Sequence, residues 1–214
     1  MDIPVIEVDP RLVDRAAALA ARADRVVLGI AGEPGAGKTT LALGLVQALQ
    51  DRGVPVAWLP MDGFHLGDAS LTRLGLLRRK GAIETFDGWG YLATLRRVLA
   101  EASHAVYVPG FERTLEQPIA ADRVIDPGPA LVVTEGNYLL DADEPWSLVR
   151  EVAAEVWYAE SPGDLRRARL VERHVEFGKS RPDAEAWVAS VDEPNTARIR
   201  ARRASADLVV DLAL

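Results

Sequence analysis

The chain has 214 residues, a formal net charge of −7 and no cysteine. This length predicts one domain, residues 1–214, with a substantial core. The lack of cysteine excludes disulfides and thiolate chemistry. Together with first residues that lack the layout of a secretory signal, it favours a cytoplasmic location. The apolar runs fall short of the ~20 residues that span a membrane, and the acidic balance argues against a nucleic-acid partner.

The predicted elements alternate between strands and helices along the chain. We predict helices at 9–23, 38–50, 87–101 and 164–177, strands at 25–31, 54–59, 105–108, 130–134, 154–159 and 206–212, an extra strand or hairpin at 118–126, and two short helices before the last strand. The runs 25–31 and 130–134 are continuously apolar, which is typical of strands buried on both faces of a parallel sheet. The alternation predicts an α/β fold with a mainly parallel central sheet and right-handed crossovers.

A phosphate-binding motif lies between the first predicted strand and the helix that follows it. Residues 32–39 read G-E-P-G-A-G-K-T and match the pattern G-x-x-x-x-G-K-[ST] in full. The glycines let backbone N–H groups turn toward phosphate oxygens, and the helix directs its positive end to the same place. Lys38 can reach the β- and γ-phosphates, and the Thr39 hydroxyl can bind Mg²⁺. The predicted nucleotide-binding residues are Gly32, Glu33, Pro34, Gly35, Ala36, Gly37, Lys38, Thr39 and the adjoining Thr40.

Two acidic residues follow predicted strands and are themselves each followed by glycine. These are Asp62 and Glu135. Ligands of an open parallel sheet bind beyond the carboxyl ends of its strands, so both carboxylates are candidates for the site. One use is to orient an acceptor hydroxyl and take its proton, and another is to contact Mg²⁺. The spacing does not decide which residue has which role.

Four segments resemble the family of uridine kinase, phosphoribulokinase and bacterial pantothenate kinase. M-D-G-F-H at 61–65 looks like the D-S-F or D-G-F segment after the second strand of these kinases, and residues 80–87 are similar to K-G-x-P-E-S-Y-D of pantothenate kinase. Residues 131–137 and 206–210 resemble the family's apolar strand ending in E-G and its A-D-x-x-x strand. The resemblance implies a three-layer P-loop fold, ATP and Mg²⁺ as cofactors, and the catalytic base at Asp62. Thr39 and Glu135 are the predicted metal ligands, and which of Asp62 and Glu135 contacts the metal stays open.

The likeness is greatest to a bacterial subgroup of nucleoside or sugar kinase-like proteins. M-D-G-F-H-L at 61–66, T-E-G-N-Y-L-L at 134–140 and R-H-V-x-F-G-K-S at 173–180 carry this likeness. Gly63 and His65 stand where uridine kinases usually have serine and tyrosine, so the acceptor of those enzymes does not simply carry over. The resemblance also suggests a homodimer.

An arginine-rich helix is predicted at 164–177, within a lid region at about 164–190. Arg166, Arg169 and Arg173 share one helical face, and the resemblance implies that such arginines close over the phosphates. Arg169 and Arg173 are therefore predicted catalytic residues with Lys38 and Asp62. The alternative is a solvated basic face.

The acceptor pocket is predicted from residues near these motifs. The predicted substrate-binding residues are Asp62, Phe64, His65, Lys80, Phe86, Tyr107, Glu135, Tyr138 and His174, with Phe111, Arg113 and Trp89 as further candidates.

The leading hypothesis is a kinase that phosphorylates a hydroxyl of a nucleoside, sugar or related metabolite. A P-loop NTPase that drives a protein partner, or a regulator that binds nucleotide without turnover, are the alternatives. The chain has no N-K-x-D segment of the kind that reads guanine in GTPases. A basic lid and residues 61–65 and 80–87 are useful only when a second small molecule binds, which favours the kinase.

Overall fold

The computed structural model describes residues 7–22 and 24–212. Two predictions fall outside the described residues. One is that the first residues lack the layout of a secretory signal, and the other is that the first helix ends near position 23. The helices are α1 (Pro10–Ala20), α2 (Lys38–Asp51), α3 (Asp68–Leu74), α4 (Gly88–Ala100), α5 (Val149–Val152), α6 (Gly163–Glu176), α7 (Arg181–Trp187) and α8 (Glu193–Arg200). The strands are β1 (Val26–Gly32), β2 (Val56–Pro60), β3 (Val106–Glu112), β4 (Gln117–Ile125), β5 (Leu131–Glu135), β6 (Glu155–Glu160) and β7 (Leu208–Asp211).

The main sheet has five parallel strands in the order β2-β5-β1-β6-β7. Strand β1 lies at its centre, pairing with β5 on one side and with β6 on the other. Because all five strands run the same way, their carboxyl ends meet at one edge, where ligands bind in such sheets. This edge carries the predicted phosphate-binding loop after β1, Asp62 after β2 and Glu135 at the end of β5.

Apolar residues bury both faces of this sheet. One core cluster joins Leu28 and Ile30 of β1 to α1 and α2, and the other joins Val27 and Ala31 of the same strand to α4, α5 and α8. Successive side chains of a strand point to opposite faces, so one continuous apolar run serves both clusters. The predicted three-layer α/β fold is confirmed.

Strands β3 and β4 form a separate antiparallel hairpin. Both strands were predicted, but their absence from the main sheet was not. The hairpin packs on the short 3₁₀ turn Met61–Phe64 that follows β2, and the Cα of Gly63 faces the backbone of Pro109 and Gly110. It therefore forms one wall over the carboxyl edge of the sheet.

In the part of the chain that the structure describes, every helix is too short or too polar to cross a membrane.

Candidate active site

The glycine-rich loop connects β1 to α2 with backbone angles that favour glycine. Gly35 and Gly37 have φ values of 78° and 93°, in the left-handed region. A Cβ on Gly35 would lie 2.7 Å from the Arg166 carbonyl oxygen and 2.8 Å from Leu170 Cγ, so the loop packs directly on α6. Helix α2 starts at Lys38, and its first N–H groups are available to an anion at this loop.

The Lys38 ammonium is buried at the base of the loop. Its Nζ donates to the Glu33 carbonyl oxygen over 3.0 Å. Burial lowers the pKa of Lys38 to about 8, although the nearby carboxylates of Glu135 and Asp62 favour its charged form. The amine stays mostly protonated at neutral pH and faces the two predicted carboxylates.

The two carboxylates lie at neighbouring strand ends and differ in their electrostatic environment. Asp62 lies in the turn after β2 and pairs with the Arg113 guanidinium, which comes from the end of the hairpin. Burial works to raise the pKa of Asp62, but Arg113 and other cations outweigh it and bring the pKa to about 2. For Glu135, the last residue of β5, burial and the Asp62 charge raise the pKa to about 7, against Lys38 and a hydrogen bond from Thr39.

A cavity of about 260 Å³ opens at this edge between the loop, the hairpin and the segment that follows α6. It brings together these predicted residues: Pro34, Gly35, Lys38, Thr39, Asp62, His65, Lys80, Phe86, Glu135, Arg173 and His174. The further candidates Phe111 and Arg113 also line it, whereas Trp89 is exposed elsewhere. Phosphate-binding residues and a second group of polar side chains thus share one cavity.

Three residues expected to bind the acceptor lie outside the cavity lining. Phe64 packs edge-on against Tyr91 in the core, with 5.1 Å between ring centroids. Tyr138 is also in the core, where its hydroxyl donates to the Gly81 carbonyl oxygen over 2.7 Å. Tyr107 is 64% exposed, because Val106 and Val108 take the inward positions of β3. These three predictions are corrected to packing or surface positions.

The predicted lid arginines occupy three different environments. Arg173 is half-buried and lines the cavity; burial and the Arg113 charge lower its pKa. Arg169 lies beside the loop, with Nη1 3.2 Å from Ser161 Oγ and 3.9 Å from the place a Cβ would take on Gly37. Arg166 is fully buried and contacts the loop from behind. The shared face predicted from spacing therefore does not give a shared role.

Several cavity residues were not predicted. They are Asp68, Leu77, Gly81, Glu116, Asn137, Phe177, Lys179, Trp187 and Asp192. Asp68 binds Lys80 Nζ at 2.6 Å, and Asp192 lies 3.1 Å from His174 Nε2. Asn137 stands within the E-G-N segment that the sequence singled out for Glu135 alone. Gly81, Phe177 and Lys179 also belong to segments that carry the family resemblance, whereas the remaining residues carry no motif and reach the cavity only in the folded chain.

The fold and the glycine-rich loop together define a P-loop phosphotransferase. No protein-family model matches the chain. A Schizosaccharomyces pombe protein named as a candidate uridine kinase is 31% identical over 87% of this chain and 82% of its own length. The pantothenate kinase of Leifsonia xyli is 32% identical over 89% of this chain and 66% of its own length. A solved Silicibacter structure, named as a candidate kinase of a fructose transport system, is 33% identical, with a TM-score of 0.86 over 94% of this chain and 97% of that one.

These similarities extend over nearly the whole chain. The chain therefore belongs to the uridine kinase, phosphoribulokinase and pantothenate kinase family, as its motifs predicted, and is an ATP-dependent P-loop kinase. The phosphoribulokinase of Rhodobacter spheroides shares the fold, with a TM-score of 0.54 at 16% identity.

Proposed function

We propose that this kinase transfers the γ-phosphoryl group of ATP to a hydroxyl of a nucleoside, a sugar or a related neutral metabolite. The observation that carries the proposal is the shared cavity, in which Lys38 and Thr39 of the loop lie with Asp62 at the next strand end. An in-line transfer needs the donor phosphate and an oriented hydroxyl in one enclosure.

In this proposal Asp62 orients the acceptor. Its pKa of about 2 keeps it ionised, so it can accept a hydrogen bond from the hydroxyl. Phosphoryl transfer places little demand on the strength of the base, because the transition state is loose, and positioning dominates. The proton moves to the Asp62 carboxylate as the acceptor oxygen bonds to the γ-phosphorus and the bond from that phosphorus to the β–γ bridging oxygen breaks, which releases ADP. Arg113 fixes the direction of this carboxylate through their ion pair.

Thr39 and Glu135 are the residues that would hold Mg²⁺. The Thr39 hydroxyl and the Glu135 carboxylate are linked by a hydrogen bond and both line the cavity. Oxygen ligands suit Mg²⁺, which keeps several waters and usually takes one or two protein carboxylates. Among the described residues there is no cluster of three or more acidic, histidine or cysteine side chains for a metal, which fits an ion held mainly by phosphate and water. When bound, Mg²⁺ would neutralise charge on the phosphates.

Charge pairing at the acceptor end favours a neutral acceptor. Arg113 is paired with Asp62, and Lys80 is paired with Asp68 at 2.6 Å. A phosphate or carboxylate on the acceptor would compete with these carboxylates for Arg113 and Lys80, whereas sugar hydroxyls can share their hydrogen bonds. The aromatic rings of Phe86 and Phe111 on the same wall add apolar contact.

We also propose that residues 164–190 include a lid. Arg173, His174, Phe177, Lys179 and Trp187 of this region line the cavity and lie opposite the hairpin. Movement of this segment toward the hairpin would exclude water and bring Arg173 to the transferred group. A homodimer and a cytoplasmic location stay predictions.

The test is ATP consumption by the purified protein with and without a panel of neutral sugars and nucleosides, each paired with its phosphorylated form. We expect turnover only with a neutral hydroxyl compound. ATP hydrolysis at the same rate with and without each acceptor would favour the NTPase alternative. ATP binding without turnover would favour the regulator. Turnover with a phosphorylated acceptor alone would contradict the neutral-acceptor proposal but leave the kinase intact.

A further inference from the structure

We propose that Arg166 and Arg200 are positioning residues for ATP, Arg200 acting through Glu33 and Arg166 through both Glu33 and the Pro34 carbonyl. The three side chains form what we call the Glu33 clamp. The motif leaves the position of Glu33 unspecified, and neither arginine lines the cavity. The inference rests on ATP binding at the loop and is independent of the acceptor.

The Glu33 carboxylate is surrounded by donors from distant parts of the chain. Arg200 of α8 reaches it with two bonds, Nε to Oε1 at 2.7 Å and Nη2 to Oε2 at 3.0 Å. Arg166 Nε lies 3.0 Å from Oε2, and the Tyr158 hydroxyl donates to Oε1 over 3.2 Å. Burial and the Glu33 charge raise the pKa of Tyr158, so its hydroxyl stays a donor. The Glu33 side chain is only 7% exposed, which strengthens these charge-assisted bonds.

Arg166 also holds the backbone of the next loop residue. It is fully buried, its Nη1 donates to the Pro34 carbonyl oxygen over 3.1 Å, and its Nη2 pairs with Glu193. Its Nε contacts Glu33 as an ion pair without hydrogen-bond geometry, so the two Nη groups carry the hydrogen bonds that make the buried guanidinium tolerable. One side chain thus fastens the Glu33 carboxylate and the Pro34 carbonyl to the base of α6.

This attachment fixes the direction of a phosphate-binding N–H group. In a planar trans peptide the C=O and the N–H point in opposite directions. Because the Pro34 oxygen is held toward Arg166, the Gly35 N–H of the same peptide points away from α6. Pro34 and Gly35 both line the cavity, so this direction suits a phosphate oxygen. The Glu33 clamp therefore sets the loop for ATP before ATP arrives.

The experiment measures the dissociation constant of ATP by calorimetry, without acceptor, for Arg200→Gln, Glu33→Gln and the double variant. We expect each single variant to weaken ATP binding about threefold to fivefold, in line with half-exposed charged pairs. The dissociation constant of the double variant should not exceed the larger of the two single-variant values, because both changes release the same loop. The KM for ATP should rise while kcat at saturating ATP stays near that of the unchanged protein.

Glu33→Gln separates positioning from simple electrostatics. Removing a carboxylate near the phosphates would by charge alone tighten ATP binding, whereas releasing the loop weakens it. Arg15→Gln is the matched control. Arg15 makes a similar two-bond pair with Glu155, which is the first residue of β6 and so lies at the edge of the sheet away from the loop. Tighter or unchanged binding in Glu33→Gln, or an equal loss in Arg15→Gln, would overturn the proposal. Thermal denaturation confirms that each variant is folded at the assay temperature, and Arg200 is exposed enough to be replaced without opening the core.

Discussion

Asp62 and Glu135 are carboxylates at the same edge of the sheet, yet their surroundings favour different protonation states. Arg113 holds Asp62 ionised with a pKa of about 2, while burial and Asp62 itself raise the pKa of Glu135 to about 7. Two groups whose environments separate their pKa values are suited to separate tasks. An ionised Asp62 suits a hydroxyl that must be oriented, and a Glu135 that gives up its proton to an arriving cation suits a metal.

The first prediction separates the two roles by substitution. Asp62→Asn should lower kcat by about a hundredfold or more, as loss of general-base catalysis does, while ATP still binds. Glu135→Gln should instead raise the magnesium concentration needed for half-maximal rate. Magnesium titrations of both variants provide the measurement. If Asp62→Asn shifts the metal dependence and Glu135→Gln does not, the two assignments are reversed.

At the scale of elements, α6 has a fixed half and a half that faces the cavity. Arg166 and Leu170 are buried against the loop, where a Cβ on Gly35 would collide with both residues. Beyond Leu170, Arg173 and His174 line the cavity instead. The close packing of the first half restricts any lid movement to the chain after Leu170. Gly178, with a φ of 94°, gives that segment a turn that other residues rarely adopt.

The second prediction concerns the arginines of α6. Arg173→Ala should reduce kcat more than it weakens ATP binding, because its guanidinium lines the cavity and, in the proposed closed state, would contact the transferred group. Arg169→Ala should also reduce kcat, through the loop that it lies beside, and the two losses should not add, since both residues act on the same bound phosphates. Arg167→Ala, on an exposed residue of the same helix, is the control and should be nearly silent. Equal, minor and additive losses in steady-state kinetics at all three positions would indicate a solvated basic face.

At the scale of the whole molecule, the central strand links the two core clusters. Val27 and Ala31 of β1 belong to one cluster, and Leu28 and Ile30 of the same strand belong to the other. If either layer of helices detached, apolar side chains of β1 would be exposed to water. Because the other layer packs on the opposite face of the same strand, that layer would be destabilised as well. Residues 1–214 are therefore proposed to behave as one cooperative domain.

The third prediction follows from this shared strand. Thermal unfolding should give one transition, with the same midpoint by circular dichroism and by tryptophan fluorescence. ATP at a hundred times its dissociation constant should stabilise the whole protein by about 2.7 kcal/mol. Lys38→Ala, which removes the buried loop ammonium, should lose most of that shift. Two transitions, of which ATP moves only one, would contradict a single domain.

The sequence predicted the elements well because most of them carry strong local patterns. Buried parallel strands are continuous apolar runs, and Leu41, Leu45 and Leu49 mark the inner face of α2. The turn-rich stretch after β2 carries no such pattern, and the short helix α3 was missed there. The hairpin was missed as a separate sheet because the choice of strand partners depends on tertiary contacts.

The site was predictable where a residue type, a strand end and a motif coincide. Lys38, Thr39, Asp62 and Glu135 satisfy that condition, and all four line the cavity. Membership of a motif was not sufficient by itself, as Phe64 shows: the turn that exposes Asp62 directs the Phe64 ring into the core. The Glu33 clamp could not be predicted, because Arg166 and Arg200 lie 133 and 167 positions after Glu33 and no periodicity links them to it.

The contact between Gly63 and the hairpin restricts the order in which this sequence can change. A Cβ at position 63 would lie 2.7 Å from the Pro109 carbonyl carbon, so a serine, usual here in uridine kinases, does not fit the present hairpin. Serine becomes acceptable only in a chain whose hairpin has already moved outward, and that movement also widens the acceptor end of the cavity. A mutational route toward uridine kinase-like sequences must therefore alter the hairpin first and position 63 second.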